Sequence, residues 1–261
     1  MASSGAGLEG VVATSSKICY IDGDKGILSY SGYNIHTLAD HACFEEVIYL
    51  LWNGKLPLPK DLQTLKTSLV AERELPAEVT VFLKSSPKGA SAMDVLRTAI
   101  SMLSLYDPSA GDMSTEANTR KASRLMARVA TIVTSFDRLR NGKEVIPGDP
   151  ALGYAANFLY TLTGKKPDDV MERVFDVALI LHADHELNAS TFAARVTAAT
   201  LSDIYSAVTS AIGALKGPLH GGANEAVIQM LLKTNSSDDA VGKVKNDLES
   251  KIKIPGFGHR V

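Results

Sequence analysis

Residues Leu125 to Gly142 read LMARVATIVTSFDRLRNG, and this stretch decides the fold class. Leu125, Val129, Ile132, Phe136 and Leu139 recur every three or four residues, the spacing that gathers apolar side chains on one face of an α-helix. Asn141-Gly142 then ends the stripe. The same period runs through most of the chain. Phe44, Val47, Ile48, Leu51 and Trp52 mark a helix stopped by Asn53-Gly54, and Leu56-Pro57-Leu58-Pro59 forms a turn. A weaker helical pattern spans Lys60 to Glu74. Val95, Leu96, Ala99, Met102 and Leu103 mark another helix, ended by Asp107-Pro108. Gly148-Asp149-Pro150 precedes a helix carrying Phe158, Leu159 and Leu162, which Gly164 and Pro167 close.

Only the segment before these helices looks different. Ser16 to Gly32 places β-branched and aromatic residues around Asp22-Gly23 and Lys25-Gly26, which predicts a short β-hairpin. No other run alternates with period two for long. There is no strand–helix alternation, no GxGxxG and no phosphate-binding P-loop, so a nucleotide-binding α/β fold is disfavoured. The fold class is mainly α.

Composition narrows the function. The 261 residues are 45% hydrophobic and 21% charged, as in globular proteins. The 27 basic and 29 acidic side chains leave a net charge of −2, which gives no electrostatic case for nucleic acid or an anionic membrane surface. No window approaches the ~18 apolar residues of a membrane span. Met1 to Gly10 lacks the features of a secretory signal or transit peptide. Cys19 and Cys43 sit in no metal-binding or disulfide pattern, so a reducing, cytoplasmic location is expected.

Residues 169–261 carry the chemistry, with four of the six histidines: His182, His185, His220 and His259. Val174, Ala178, Leu181, His185, Asn188, Phe192 and Val196 step along one helical face, which predicts a continuous helix with His185 and Asn188 pointing inward. Two inward polar groups suit either satisfied core residues or a shared polar ligand. Asp184 and Glu186 flank His185 and either stay solvated or orient a ring. Ile204, Val208, Ala211 and Leu215 form the next stripe, which Lys216-Gly217-Pro218 terminates. His220 follows in a glycine-rich turn just before a helix start. Gly221 and Gly222 would let a ligand approach the backbone, and free N–H groups there would suit a developing oxyanion. The alternative is an ordinary interhelix turn. Val241, Val244, Leu248 and Ile252 mark a last helix, followed by a loop with glycines on either side of Phe257. That loop suits either a flat ligand or a flexible chain end. A zinc site from three histidines is the remote option, since no HExxH spacing or cysteine supports it.

Three segments together go further: Leu181 to Ser190 (LHADHELNAS), Gly217 to Glu225 (GPLHGGANE) and Pro255 to Val261 (PGFGHRV). In this order they closely resemble the signature regions of the citrate synthases, the bacterial branch best. Ile21 to Tyr33 and Ser135 to Gly142 look like that family too. The resemblance implies a multi-helical fold with a large helical domain over 16–221 behind a tail at 1–15, and the start of a small domain at 222–261 whose remainder is missing. It implies condensation of acetyl-CoA with oxaloacetate to citrate and CoA, without a tightly bound cofactor or metal. By position, His220 resembles the donor to the acetyl-CoA thioester carbonyl, and His259 the acid at the oxaloacetate carbonyl. His185 resembles an oxaloacetate ligand and Asn188 a further one. Ile254, Pro255, Gly256, Phe257 and Gly258 resemble the segment that wraps the adenine of coenzyme A.

Two departures qualify that expectation. The family's catalytic aspartate and its carboxylate-binding arginines lie beyond the point where this sequence stops, so a truncated chain with little condensation activity is expected. Ser31 stands where the family favours arginine, and Ala90-Ser91-Ala92 where a His-Pro or similar pair is common. The family relation also implies a homodimer or higher homo-oligomer, for which the Leu125 stripe is a candidate face. 2-Methylcitrate synthesis from propionyl-CoA shares the motifs, and a non-catalytic helical assembly protein is the reading from another class.

Overall fold

The computed structural model describes residues 14–256. Near the start, β1 (Cys19–Asp22), β2 (Ile27–Tyr30) and β3 (Tyr33–Asn34) form an antiparallel sheet in the order β1-β2-β3. Cys19 lies opposite Tyr30, and Asp22 opposite Ile27. The Asp22 carboxylate accepts the Lys25 N–H at 3.0 Å, and Gly26 takes φ +65°, which closes the turn. The expected hairpin is therefore present, with one further short strand.

Twelve helices follow among the described residues: α1 (Ile35–His41), α2 (Phe44–Asn53), α3 (Pro59–Ala71), α4 (Ala77–Ser85), α5 (Ala92–Leu103), α6 (Thr115–Arg140), α7 (Tyr154–Thr163), α8 (Asp169–Leu181), α9 (Ala189–Ala199), α10 (Ile204–Leu215), α11 (Gly222–Leu232) and α12 (Ser237–Glu249). Gly54 and Gly164 end α2 and α7 in the left-handed conformation, as their sequence positions predict. Two boundaries differ from expectation, and two short helices were not expected. The pattern over 60–74 forms a helix from Pro59 to Ala71. α5 stops at Leu103 and tightens into a 3₁₀ turn over Ser104–Tyr106 before Asp107. α1 and α4, at 7 and 9 residues, are too short for periodicity to stand out.

The core has two centres. Tyr30, Leu38, Val47, Leu50, Leu69 and Ile180 lock the sheet onto α1, α2, α3 and α8. Val79, Ala99, Ile100, Leu103 and Tyr205 lock α4, α5 and α10 together, and Leu125, Ile132 and Phe136 of α6 belong to this centre. The Leu125 stripe is thus buried within the chain and is no free face for assembly. α10 also differs from its expected stripe. Tyr205, Ala207 and Ile212 are its buried residues, while Leu215 is exposed and Ile204 and Val208 pack at the margin. Neither α11 nor α12 has a buried residue.

Buried charges join the helices. Asp176 of α8 accepts the N–H of Phe44, the first residue of α2, at 2.9 Å. Glu45 of α2 in turn accepts the N–H of Tyr154, the first residue of α7, at 3.0 Å. Each carboxylate satisfies a donor that a helix start leaves open, from another helix. Burial raises the Asp176 carboxyl above its ordinary value against the pull of the Phe44 N–H and Arg173. In the second centre Asp107 accepts from Tyr205 Oη at 2.6 Å and from Arg124 Nη1 at 2.7 Å, and Arg124 also grips Glu72 through Nε at 2.8 Å. Burial alone would raise the Asp107 carboxyl, but these hydrogen bonds and those from Ser109 outweigh it and hold it far below the usual carboxylate range.

Candidate active site

The continuous helix expected from 174 to 196 is broken. α8 ends at Leu181, residues 182–188 form a loop, and α9 begins at Ala189. Val174 is 65% exposed and His185 lies on the surface, so neither points inward. Apolar residues on both flanks mimic one face, but Asn188 starts a second helix. Its Oδ1 accepts the Thr191 N–H at 3.0 Å, a standard N-cap.

That cap organises the site. Ser190 Oγ lies 2.7 Å from Asn188 Oδ1 and 2.9 Å from His220 Nε2. The backbone N–H of Ser190 also lies against His220 Nε2, at 3.3 Å. Two of the three signature segments therefore meet through Asn188, Ser190 and His220. Ser190 Oγ gives its single hydrogen to Asn188 Oδ1, so at 2.9 Å it can accept one from His220 Nε2, while the longer 3.3 Å contact has Nε2 facing the Ser190 amide. His220 is half-buried. Ser190 was not singled out from the sequence. Its signal is a Ser two residues after a helix-capping Asn.

The turn around His220 differs from expectation in one respect. The N–H groups of Gly222, Ala223 and Asn224 are taken by the carbonyls of Gly217, His220 and Gly221. The start of α11 therefore offers these amides to no oxyanion. The glycine at 221 also has an internal reason. A Cβ there would lie 2.5 Å from the Leu215 carbonyl oxygen and 2.7 Å from Leu215 Cδ1, so α10 and α11 approach only where that side chain is missing.

The 182–188 loop is held from the other side by the sheet. Tyr30 Oη donates to the Ile180 carbonyl at 3.0 Å and accepts the Asp184 N–H at 3.3 Å. Glu186 Oε1 accepts the Ile21 N–H at 3.2 Å, and the Glu186 N–H donates to Asp184 Oδ1 at 2.7 Å. Burial raises the Asp184 carboxyl above its ordinary value, partly offset by the Glu186 N–H. It also pushes the Cys19 thiol and the Tyr30 phenol up to about 12 each, so both stay protonated near neutral pH.

The third segment is described in part. Ile254 is buried, and Gly256 adopts φ +88° with Val227 Cγ2 3.2 Å from where its Cβ would stand, so residues 254–256 fold back on α11. Pro255 is half-buried beside them. Phe257, Gly258 and His259 lie outside the described residues. No group of three or more His, Cys, Asp or Glu side chains able to hold a metal occurs among the described residues.

The family profile for the C-terminal domain of citrate synthase matches residues 7–261. Citrate synthase 2 of Bacillus subtilis is 53% identical over 256 residues, covering 98% of this chain and 68% of its own. The citrate/2-methylcitrate synthase of the same organism is 40% identical, again over 98% of this chain and 68% of its own. The structure of citrate synthase from Thermoplasma acidophilum in ternary complex with carboxymethyl coenzyme A and oxaloacetate superposes with a TM-score of 0.90 at 33% identity, covering 98% of this chain and 67% of that one. The chain thus spans about two thirds of the length of these relatives. Matched along nearly its whole length by that profile and by relatives well above 30% identity, it belongs to the citrate synthase family.

Proposed function

We propose that this chain carries the oxaloacetate- and thioester-handling side chains of citrate synthesis, the condensation of acetyl-CoA with oxaloacetate followed by hydrolysis of the citryl thioester. The observation that supports this most is the seating of the His220 ring against Ser190 at the capped start of α9. Enolisation moves a methyl proton to a base and an electron pair onto the thioester oxygen. A ring N–H of His220 donating to that oxygen would stabilise the charge that gathers there. His185, exposed on the 182–188 loop, is free to meet a dicarboxylate. Asn188 keeps its amide NH₂ for the same ligand while its oxygen caps α9. His259 is assigned the acid role at the oxaloacetate carbonyl on its motif alone, and 254–258 the adenine-wrapping role. Asp184 and Glu186 are committed to the loop, so neither is assigned as the base.

Thiol release from acetyl-CoA with oxaloacetate, run on the natural gene product beside His220→Gln, tests this. A loss in kcat of at least ~100-fold is expected on removing the donor, and an unchanged kcat overturns the assignment. The relative named for both activities favours a second reading, 2-methylcitrate synthesis. One added methylene is worth only ~1–3 kcal/mol, so comparing propionyl-CoA with acetyl-CoA separates the two.

We further infer a division near Gly221, with 16–221 as the large domain and 222–256 as part of a smaller one. The absence of buried residues in α11 and α12 supports it. A homodimer is proposed through surfaces other than the Leu125 stripe, to be checked by mass in solution. A reducing cytoplasm suits two unpaired cysteines. No described helix is long and apolar enough to cross a membrane.

A further inference from the structure

We propose that Glu186 is a positioning residue for the site, and that the N-terminal sheet serves as the brace against which it holds His185 and Asn188. This rests on the oxaloacetate role proposed for those two residues. β1 is an edge strand, so its outward N–H groups need partners from elsewhere. Glu186 Oε1 takes the N–H of Ile21, 165 residues away in the chain. The residue adopts φ +57°, a conformation that side-chain-bearing residues rarely take unless their surroundings enforce it. The enforcing contacts lie on both sides. Its own N–H is held by Asp184 Oδ1, and Asp184 is held to β2 by the Tyr30 hydroxyl. The loop is therefore fastened to both long strands of the sheet.

Position makes this a matter of function as well as stability. Glu186 follows His185 directly and precedes the Asn188 cap by two residues. The Asn188 cap in turn sets Ser190 against His220. Releasing the Ile21 bond frees the loop to leave its left-handed turn, which redirects the His185 side chain and loosens the start of α9. Glu186 touches neither reacting substrate in this scheme. It acts through the backbone it holds, so what matters is an acceptor atom and not a charge.

The experiment compares Glu186→Ala and Glu186→Gln in the full chain, by amide hydrogen exchange and by the ring signals of His185 and His220 in nitrogen-15 spectra. Ala is expected to cut protection at Ile21 and over 184–190 at least tenfold, to shift both ring signals, and to leave the amides of α6 as protected as before. Gln keeps an oxygen for Ile21 and is expected to restore protection to within about threefold, with ring signals near those of the parent. Two results overturn the proposal: unchanged exchange at Ile21 in the Ala variant, or a Gln variant as disturbed as Ala. If Ala unfolds the whole chain, the Gln variant decides alone. Titrating the parent with oxaloacetate keeps the two readings apart. No movement of the His185 signal refutes its ligand role, while the exchange result still judges the brace.

Discussion

The backbone N–H of Ser190 points at Nε2 of His220 from 3.3 Å, across 30 residues of sequence. Ser190 Oγ, 2.9 Å from the same nitrogen, spends its one hydrogen on Asn188 Oδ1 and so has only a lone pair for the ring. Ser190→Ala removes that hydroxyl and leaves the backbone contact, and nitrogen-15 spectra are expected to show the His220 ring signals shift. Unchanged ring signals in Ser190→Ala would refute the coupling.

Gly221→Ala tests the close approach behind His220. The added carbon meets the Leu215 carbonyl at 2.5 Å, and backbone cannot yield as a flexible side-chain tip does. A loss of about 1–3 kcal/mol is expected from overpacking, with a displaced His220 ring signal. Thermal melting and the same spectra check it. Gly142→Ala, with open space around its Cβ position but φ +69°, serves as a control for backbone strain alone.

Asp107 gives a stability effect with a definite pH sense. Its carboxyl is depressed below the ordinary 3.8 in the folded chain by Tyr205, Ser109 and Arg124 acting against burial. A depressed carboxyl contributes stability that is present above the unfolded value and lost as pH falls through it toward the folded one. Asp107→Asn should therefore cost about 3 kcal/mol near pH 7, since it leaves Arg124 less well paired. The gap from the parent should shrink steadily as pH falls below about 4. Urea unfolding at a series of pH values measures this, and a pH-independent gap would count against it.

Asp176→Ala removes the acceptor at the start of α2, and a loss of about 1–2 kcal/mol is expected, typical of a lost helix cap. The pH sense is opposite to that of Asp107. Burial raises the Asp176 carboxyl, so its ionised form is disfavoured by folding, and its contribution declines as pH rises from the ordinary 3.8 through the raised value. Asp176→Asn should recover part of the loss, because the amide oxygen still accepts. Unfolding curves at a series of pH values from about 3 upward read both effects.

Much of the architecture was legible in the sequence. The Leu125 stripe became the buried face of α6, and Gly54, Gly164 and the Asp22–Gly26 turn lie where their chemistry places them. The break between α8 and α9 was not legible. Apolar residues continue with helical spacing through His185, and periodicity cannot distinguish one long helix from two with a loop that keeps phase. Only the Asn188 cap reveals the second start, because it depends on a side chain folding back on its own backbone. The burial of the Tyr205 side of α10 was hidden for a related reason. A tyrosine reads as marginal in a stripe, and it is buried here because Asp107 and Arg124 satisfy its hydroxyl.

The sequence by itself determined the helical class, the hairpin and the three segments that mark the family, because these depend on residue spacing and local turn chemistry. Only the tertiary structure decided what the segments do to one another. It set Ser190 against His220, fastened Glu186 to β1, and consumed the α11 amides that had looked free for an oxyanion. Hydrogen bonds between distant residues depend on the packing that brings them within 3 Å or so, and no local pattern records that distance.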